Sequence, residues 1–364
     1  MSTIIIGGGV VGLSIAYGLL KSGKQVIVLD GADDDFRASR GNFGLIWIQG
    51  KGSNAPRYAK WTRQSGLLWE AFSKELFEES GVNVAYKNDG GVDYFTDEAK
   101  LEARVNTLTS LRQDLNGDYP FEFLAHKELK ERVPEIGKKV LGGIYSPMDA
   151  HVNPLFLLRA LSIAVRKAGG EIKTGVKAVD IHAKDYDFTV VLENQDKIEG
   201  DSLVLSAGLG AAPLGHQLGF KVPIRPQQGQ ILITEKLPYF LRYPSGTIRQ
   251  VNEGGIQIGA SKAEVGLDDD EDIVTSASLA QHAIDVFPHL GEVKLVRTWA
   301  ALRIMSPDGL PIYQRSPKAR GASFITCHSG ITLSAIHAKL MPQWILGKNT
   351  TLDLSHFSEE RFNV

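Results

Sequence analysis

Three glycines near the start of the chain have a spacing that suits the binding of a diphosphate. Gly7, Gly9 and Gly12 form a G-x-G-x-x-G pattern, and Asp30 follows eighteen positions after the last of them. Glycines at these positions allow a tight turn, a close approach of phosphates to backbone N–H groups, and tight helix packing. The Asp30 carboxylate can accept hydrogen bonds from ribose hydroxyls and would repel a 2′-phosphate. The pattern predicts a dinucleotide site that disfavours NADP, and it does not separate FAD from NAD.

The residues around this motif supply the elements that would position it. Residues 3–6 are an apolar run, typical of a buried parallel strand, and a helical pattern extends from the glycines to Leu20. Gly23 suits the end of that helix, and a second apolar strand, 25–29, leads directly into Asp30. A glycine-rich turn without a ligand is the alternative. The complete order of strand, turn, helix, strand and acid favours dinucleotide binding.

A single arginine, Arg303, interrupts the apolar run "WAALRIMSPDG" at residues 299–309. A guanidinium keeps its charge, so its burial requires an anion. That anion is either an internal acid such as Asp308 or a group that arrives with a substrate. Arg297 lies six positions earlier and shares the face of Arg303 if the strand is regular, which makes it a second candidate.

The middle of the chain has a different pattern. Residues 54–80 predict an amphipathic helix, and 82–95 predict a hairpin of two alternating strands joined by a turn. Long strands are indicated near 223–235 and 293–305. This combination of helix and antiparallel sheet does not continue a strand-helix-strand series. It therefore predicts a second, inserted domain.

Composition excludes several classes of function. The 364-residue chain has 40 basic and 42 acidic residues and a formal net charge of -2, which argues against nucleic-acid binding and against a polybasic membrane patch. Cys327 is the single cysteine, so no intrachain disulfide or cysteine cluster can form, and we expect no metal. No apolar run is long enough to cross a bilayer, and the apolar N-terminus lacks the basic start of a signal peptide. We expect a cytoplasmic protein.

The order of motifs along almost the full chain resembles the D-amino-acid oxidase (DAO) family of FAD-dependent oxidoreductases. The resemblance rests on the glycine motif with Asp30 and on "HVNP", "VLSAG", "PIRPQQGQIL", "LRIMSPDGLPI" and "CHSGITL". It implies an α/β fold: a discontinuous Rossmann-like FAD-binding domain and an inserted, mostly antiparallel α+β substrate domain. The corresponding boundaries are 1–45, 140–215 and 300–364 for the first domain, and 46–139 and 216–299 for the second.

The resemblance also implies a set of cofactor-binding residues. The family usually has glutamate where Asp30 stands; aspartate keeps the charge and shortens the reach. The turn that includes His328 and Gly330 would lie beneath the flavin ring, where a helix N-terminus favours the negative charge gained on reduction. The full set comprises Gly7, Gly9, Val10, Val11, Gly12, Asp30, Ser39, Arg40, Asn42, Gly44, Val176, Ala207, Gly208, His328, Gly330, Ile331 and Thr332.

Within the family, the arginine of a "G-L-R-P"-like segment pairs with the substrate carboxylate, and Arg303 matches it, although Ile304 replaces the proline. The resemblance implies hydride transfer from the α-carbon of an amino acid or opine to flavin N5, followed by hydrolysis of the imine. Catalytic candidates are Arg303, His328 and Gly330. Candidates for substrate binding are Arg303, Arg297 and Trp47, and core packing is an equal alternative for Trp47.

The segments "SRGNFGLIWIQGKG" and "CHSGITLSAIHA" are most similar to the flavin subunits of opine oxidases and of hydrogen cyanide synthase. This similarity implies partner subunits that relay electrons and could associate with a membrane. Cys327 does not match the position of covalent attachment in relatives, so we expect a buried neutral thiol and non-covalent FAD. The alternatives are a non-catalytic FAD-bearing subunit and an NAD-linked dehydrogenase, which would need a second nucleotide motif.

Overall fold

The computed structural model describes residues 2–31, 38–259, 261–348 and 352–362. The helices of these residues are α1 (Val10–Lys21), α2 (Pro56–Ser80), α3 (Glu98–Asp114), α4 (His126–Arg132), α5 (Pro154–Lys167), α6 (Ala211–Gln217), α7 (Ile273–Val286), α8 (Gly330–Lys339) and α9 (Met341–Ile345). The strands are β1 (Ser2–Ile6), β2 (Gln25–Asp30), β3 (Leu45–Ile46), β4 (Gly91–Phe95), β5 (Glu122–Ala125), β6 (Gly142–Ser146), β7 (Ala150–His151), β8 (Glu171–Thr174), β9 (Ala178–Lys184), β10 (Asp187–Leu192), β11 (Lys197–Gly200), β12 (Ser202–Leu205), β13 (Arg225–Lys236), β14 (Ile248–Gln250), β15 (Gly255–Ile258), β16 (Leu295–Met305), β17 (Ile312–Arg315) and β18 (Ala322–Thr326).

The central sheet has the strand order β17-β18-β12-β1-β2-β8, and all its pairs are parallel except β17 with β18. Its strands come from three separate parts of the chain. One face packs on α1, α5 and α8, and the other on the antiparallel sheet β11-β10-β9. Because both faces are covered, Ile4 and Ile5 of β1 are completely buried. The predicted discontinuous Rossmann-like α/β fold is confirmed.

Helix α1 packs tightly against α8, the helix that begins at Gly330. A Cβ on Gly18 of α1 would lie 2.0 Å from the backbone oxygen of Ala338 in α8. Ser14 and Ser334 form a buried hydrogen bond of 2.6 Å between the same helices. This close packing fixes the start of α8 relative to the glycine motif at the start of α1.

A second sheet, β14-β15-β13-β16, is antiparallel throughout. The long strands predicted near 223–235 and 293–305 correspond to its β13 and β16. Their register places Gln227 opposite Arg303 and Gly229 opposite Ala301. The register is unbroken from Arg297 to Met305, so the second sheet holds Arg303 in a regular part of a long strand.

The hairpin predicted for residues 82–95 is wrong. Lys87 forms a bridge with His151, and β4 pairs with β6. The glycine pair at 90–91 serves close packing, since a Cβ on Gly91 would lie 2.6 Å from Trp47 Cζ3. β6 lies within residues 140–215, which the sequence assigns to the cofactor domain. Its partner strands, β4 and β5, lie within residues 46–139, which the sequence assigns to the substrate domain. The division into domains stays a prediction.

Among the described residues, no helix combines the length and the apolar character that a membrane crossing requires.

Candidate active site

Two cavities meet at the carboxyl ends of the parallel strands. The first has a volume of about 330 Å³ and the second about 400 Å³. Site segments follow four neighbouring strands directly: Gly7 after β1, Ser206 after β12, Cys327 after β18, and Asp30 at the end of β2. In open α/β sheets, ligands bind at this edge. The two cavities are adjacent, because both are lined by the same six residues: Val10, Val11, Ala38, Ser39, Ile304 and Cys327.

The glycine motif forms a bare backbone wall of the first cavity. Gly7 has φ +112°, and a Cβ there would lie 2.5 Å from Ser206 O. Gly12 is equally crowded, because a Cβ would lie 2.0 Å from the Gly7 oxygen. The Gly8 N–H donates to Asp30 Oδ1 at 3.0 Å, which fixes the carboxylate beside the turn. Residues larger than glycine do not fit at positions 7 and 12 of this turn.

The rest of the first cavity contains most of the predicted cofactor-binding residues. Ser39 Oγ accepts a hydrogen bond from Val10 N at 3.1 Å, at the first turn of α1. Asp30 is the one acid among the described lining residues, whereas three cations line the same cavity. Of these three, Arg40 was predicted from the sequence, and Arg166 and Lys177 were not. The other predicted residues on this wall are Gly9, Val176, Ala207 and Gly208.

The start of α8 forms one wall of the second cavity. A Cβ on Gly330 would lie 2.8 Å from Val10 Cγ1, so the starts of α8 and α1 are in direct contact. Thr332 accepts a hydrogen bond at Oγ1 from Trp47 N at 3.2 Å, and its backbone oxygen accepts from Ser65 Oγ at 2.6 Å. These contacts fix the start of α8 at the edge of the cavity. The predicted residues on it are Asn42, Trp47, His328, Gly330, Ile331 and Thr332.

Arg303 lines the second cavity without an acidic partner. Its Nη1 donates to Gln228 O at 3.0 Å, and its guanidinium covers Gly229, where a Cβ would lie 2.4 Å from Cζ. The internal partner considered from the sequence is wrong, because Asp308 pairs with Arg361 at 2.7 Å. Burial lowers the pKa of Arg303, and none of the ion pairs among the described residues includes it. The guanidinium is therefore available to an anion in the cavity.

Two neighbours of the start of α8 have strongly perturbed pKa values. Burial and nearby cations lower the pKa of His328 to about 3, so its imidazole is neutral. Burial raises the pKa of Cys327 to about 12, so its thiol is neutral, as predicted. Neither side chain carries charge near neutral pH.

Lys51 is a lining residue of the second cavity that was not predicted from the sequence. Its Nζ donates to Ser329 Oγ at 2.6 Å, and burial lowers its pKa to about 8. The sequence feature that could have identified Lys51 is its position between Gly50 and Gly52 in "LIWIQGKG", where a cation follows an apolar run.

A family model described as FAD dependent oxidoreductase (DAO) matches residues 2–344. The chain is 40% identical to an opine oxidase subunit of Agrobacterium tumefaciens (strain Ach5), covering 99% of this chain and 97% of that protein. The chain belongs to the DAO family of FAD-dependent oxidoreductases. It is also 38% identical to an opine oxidase subunit of Rhizobium meliloti, over 99% of this chain and 97% of the relative.

The fold of this FAD-dependent oxidoreductase matches solved structures of the family. The crystal structure of glycine oxidase from Geobacillus kaustophilus superposes with a TM-score of 0.91 and 24% sequence identity. The match covers 98% of this chain and 97% of that one. The arrangement of the two sheets described above is therefore the architecture of that structure.

The two cavities together fit an FAD. The crowded glycine turn leaves backbone where a diphosphate must approach closely, and the Asp30 carboxylate lies beside it. Two adjacent cavities suit a long two-part ligand. No group of three or more His, Cys, Asp or Glu among the described residues could hold a metal.

Three residues predicted for the site, Gly12, Gly44 and Arg297, do not line either cavity. Gly12 packs against the Gly7 oxygen instead. Gly44 lies beneath the wall, where a Cβ would be 2.6 Å from Nη2 of the buried Arg249. Arg249 in turn donates to Val152 O at 2.8 Å and so supports the loop from below. Arg297 is exposed, and its guanidinium lies 5.9 Å from the Trp299 ring.

Replacing Lys51 by methionine should raise the free energy of unfolding near neutral pH, because burial of its charge disfavours the folded state. The Lys51 pKa is about 8 in the folded protein, against 10.5 for a free lysine. Between these values the unfolded chain binds more protons, so wild-type stability rises with pH relative to the variant. Urea unfolding from about pH 7 to about pH 10 should show the gap between the two proteins narrowing. Lys60→Met, at an exposed position of α2, controls for loss of a charge; a gap independent of pH would contradict this interpretation.

Proposed function

We propose that this flavoenzyme oxidises an amino acid, either an opine or a simpler primary or secondary amino acid, at the carbon that bears the amine. We further propose that it is the catalytic flavin subunit of a heteromeric opine oxidase or dehydrogenase. The observation that carries the proposal is the guanidinium of Arg303, which faces the second cavity without an acidic partner among the described residues. A carboxylate is the ligand that a guanidinium fork binds best.

The glycine turn at 7–12 would hold the diphosphate of FAD, with Asp30 on the ribose and Ser39 and Arg40 beside the phosphates. The start of α8 at Gly330 would lie under the flavin ring, with its N-terminal dipole favouring negative charge there. Bound FAD supplies the acceptor for a hydride from the substrate α-carbon. Non-covalent binding is supported by the buried Cys327, whose raised pKa suppresses the thiolate that would attack the flavin.

Arg303 would bind the substrate carboxylate through two parallel hydrogen bonds and so fix the α-carbon. The two C–H electrons leave with the hydride while the amine lone pair forms the C=N bond, and the N–H proton is lost. Water then adds to the imine and releases a 2-oxo acid and an amine.

The amine must be unprotonated before the C–H bond breaks. His328 is neutral near pH 7, and its low pKa makes it too weak a base to remove the proton. The cations Arg303 and Lys51 instead lower the pKa of a bound ammonium by charge repulsion, which favours loss of its proton to solvent. The chain thereby activates the substrate without a strong side-chain base.

A heteromeric assembly is supported by the names of the relatives at 40% and 38% identity, each of which is called a subunit of opine oxidase. In such an assembly a partner subunit, and not oxygen, would accept the electrons. The single buried cysteine supports a reducing, cytoplasmic location.

The purified chain tests this function directly. It should be yellow, and acid precipitation should release all of its flavin into solution. Anaerobic addition of D-amino acids, glycine, sarcosine, proline and opines, one at a time, should bleach the flavin with at least one of them. A flavin that no member of this panel bleaches would indicate a non-catalytic subunit and would overturn the proposal.

Arg303→Ala should leave the FAD content unchanged and lower the ratio of the flavin reduction rate constant to the substrate Kd about 100-fold. This loss corresponds to removal of one partner from a desolvated charge pair, typically about 3 kcal/mol. Stopped-flow mixing without oxygen measures it. The matched control is Arg297→Ala, on the same strand but outside both cavities, which should change the ratio less than about twofold. Equal effects of the two substitutions would remove Arg303 from the substrate site.

A further inference from the structure

The second cavity holds more positive charge than one substrate carboxylate can match. Lys51, Lys262 and Arg303 all line it, and its described lining residues include no aspartate or glutamate. All three cations lower the pKa of His328, which places their charges around one imidazole ring. Since His328 is itself neutral, it adds nothing to the excess.

Lys262 is held at this cavity by its two neighbours in the chain. Ser261 Oγ accepts a hydrogen bond from Gln230 N at 2.7 Å, and Ala263 N donates to Gln228 O at 3.1 Å. Lys262 therefore lies opposite Gly229, the glycine that the Arg303 guanidinium covers.

The link between Lys262 and Arg303 is a single carbonyl. Gln228 O accepts from both Ala263 N and Arg303 Nη1. The backbone beside Lys262 and the guanidinium of Arg303 are thus fixed to the same residue of β13. The segments that carry the two cations therefore meet at the same residue of β13, and both side chains line the same cavity.

The acid nearest to Lys262 along the chain, Glu264, has other partners. Glu264 accepts from Arg225 and Gln227, and Asp272 caps α7 by accepting from Thr275 N at 2.7 Å. None of the ion pairs among the described residues includes Lys262. Its ammonium lies at the exposed rim of the cavity.

Lys51, the third cation that lines the cavity, already has a hydrogen-bond partner. Lys51 Nζ donates to Ser329 Oγ beside the start of α8, and its charge contributes to the lowered pKa of His328. With one carboxylate on Arg303 and Lys51 directed towards Ser329, Lys262 is the lining cation at the rim that is left to meet a second anion.

On the basis of the proposed function, we infer that Lys262 binds a second carboxylate of the substrate. The substrate class is then an N-(carboxyalkyl) amino acid: a secondary amine with one carboxylate bound to Arg303 and the other bound to Lys262 at the rim. Lys262 is accordingly a specificity-determining residue, which favours dicarboxylates over neutral or monocarboxylate analogues.

Paired ligands that differ only in the second carboxylate test this inference on the FAD-loaded protein. Iminodiacetate and N-(1-carboxyethyl) amino acids are compared with their monoamides, in which the second carboxylate becomes a neutral carboxamide of the same shape. Flavin reduction is followed without oxygen. In addition, equilibrium titration with diglycolate and its monoamide measures binding alone, because an ether oxygen replaces the amine.

Lys262→Met should weaken diglycolate binding and lower reduction by the dicarboxylates about tenfold, the typical effect of one hydrogen bond to a charged group. Binding and reduction by the monoamides should change less than about twofold, and Lys262→Arg should restore most of the loss. Lys236→Met, an exposed lysine at the end of β13 away from both cavities, is the matched control for loss of charge on the same sheet. Arg303→Ala should weaken both members of every pair.

Equal effects of Lys262→Met on dicarboxylates and monoamides, or no effect on either, would overturn the inference. The two proposals fail separately. If no amine in the panel reduces the flavin but diglycolate binding still depends on Lys262, the proposed reaction is wrong and the second carboxylate site stands. If monocarboxylate amines reduce the flavin as well as their dicarboxylate partners do, the reaction stands and the role of Lys262 is wrong.

Discussion

A buried arginine without an acidic partner among the described residues is the feature on which the proposed substrate site depends. Arg303 lies flat on the backbone at Gly229 and donates one hydrogen bond to Gln228 O, and no described carboxylate neutralises it. Burying a cation in this way is unfavourable for folding. An anionic ligand in the cavity would offset this cost, so the proposed selectivity for acids follows from the same feature.

Two sheets position Arg303 next to the proposed cofactor site. The parallel sheet places Gly7, Ser206 and Cys327 at neighbouring carboxyl ends, which puts the diphosphate turn and the start of α8 on one edge. The antiparallel sheet holds Arg303 on β16 through its register with β13. The two cavities adjoin at residues such as Val10 and Ile304, which line both.

The sequence was sufficient for features that depend on local pattern. The glycine motif, Asp30 and the long strands β13 and β16 follow from spacing and alternation, and Arg303 was found because a charge interrupts an apolar run. Features that depend on distant partners were not predictable. Lys262 lines the cavity only because its neighbours bond to a strand some thirty residues earlier, and the supposed hairpin failed because β4 pairs with β6, about fifty residues later.

The most direct test is a crystal structure of the FAD-loaded protein with an ether analogue of an N-alkyl amino acid, such as methoxyacetate, which cannot be oxidised at an amine. We predict one FAD lying across both cavities and the inhibitor carboxylate within hydrogen-bond distance of both terminal nitrogens of Arg303. A carboxylate bound elsewhere in the second cavity, with Arg303 still contacting protein groups alone, would contradict the proposed role of this arginine.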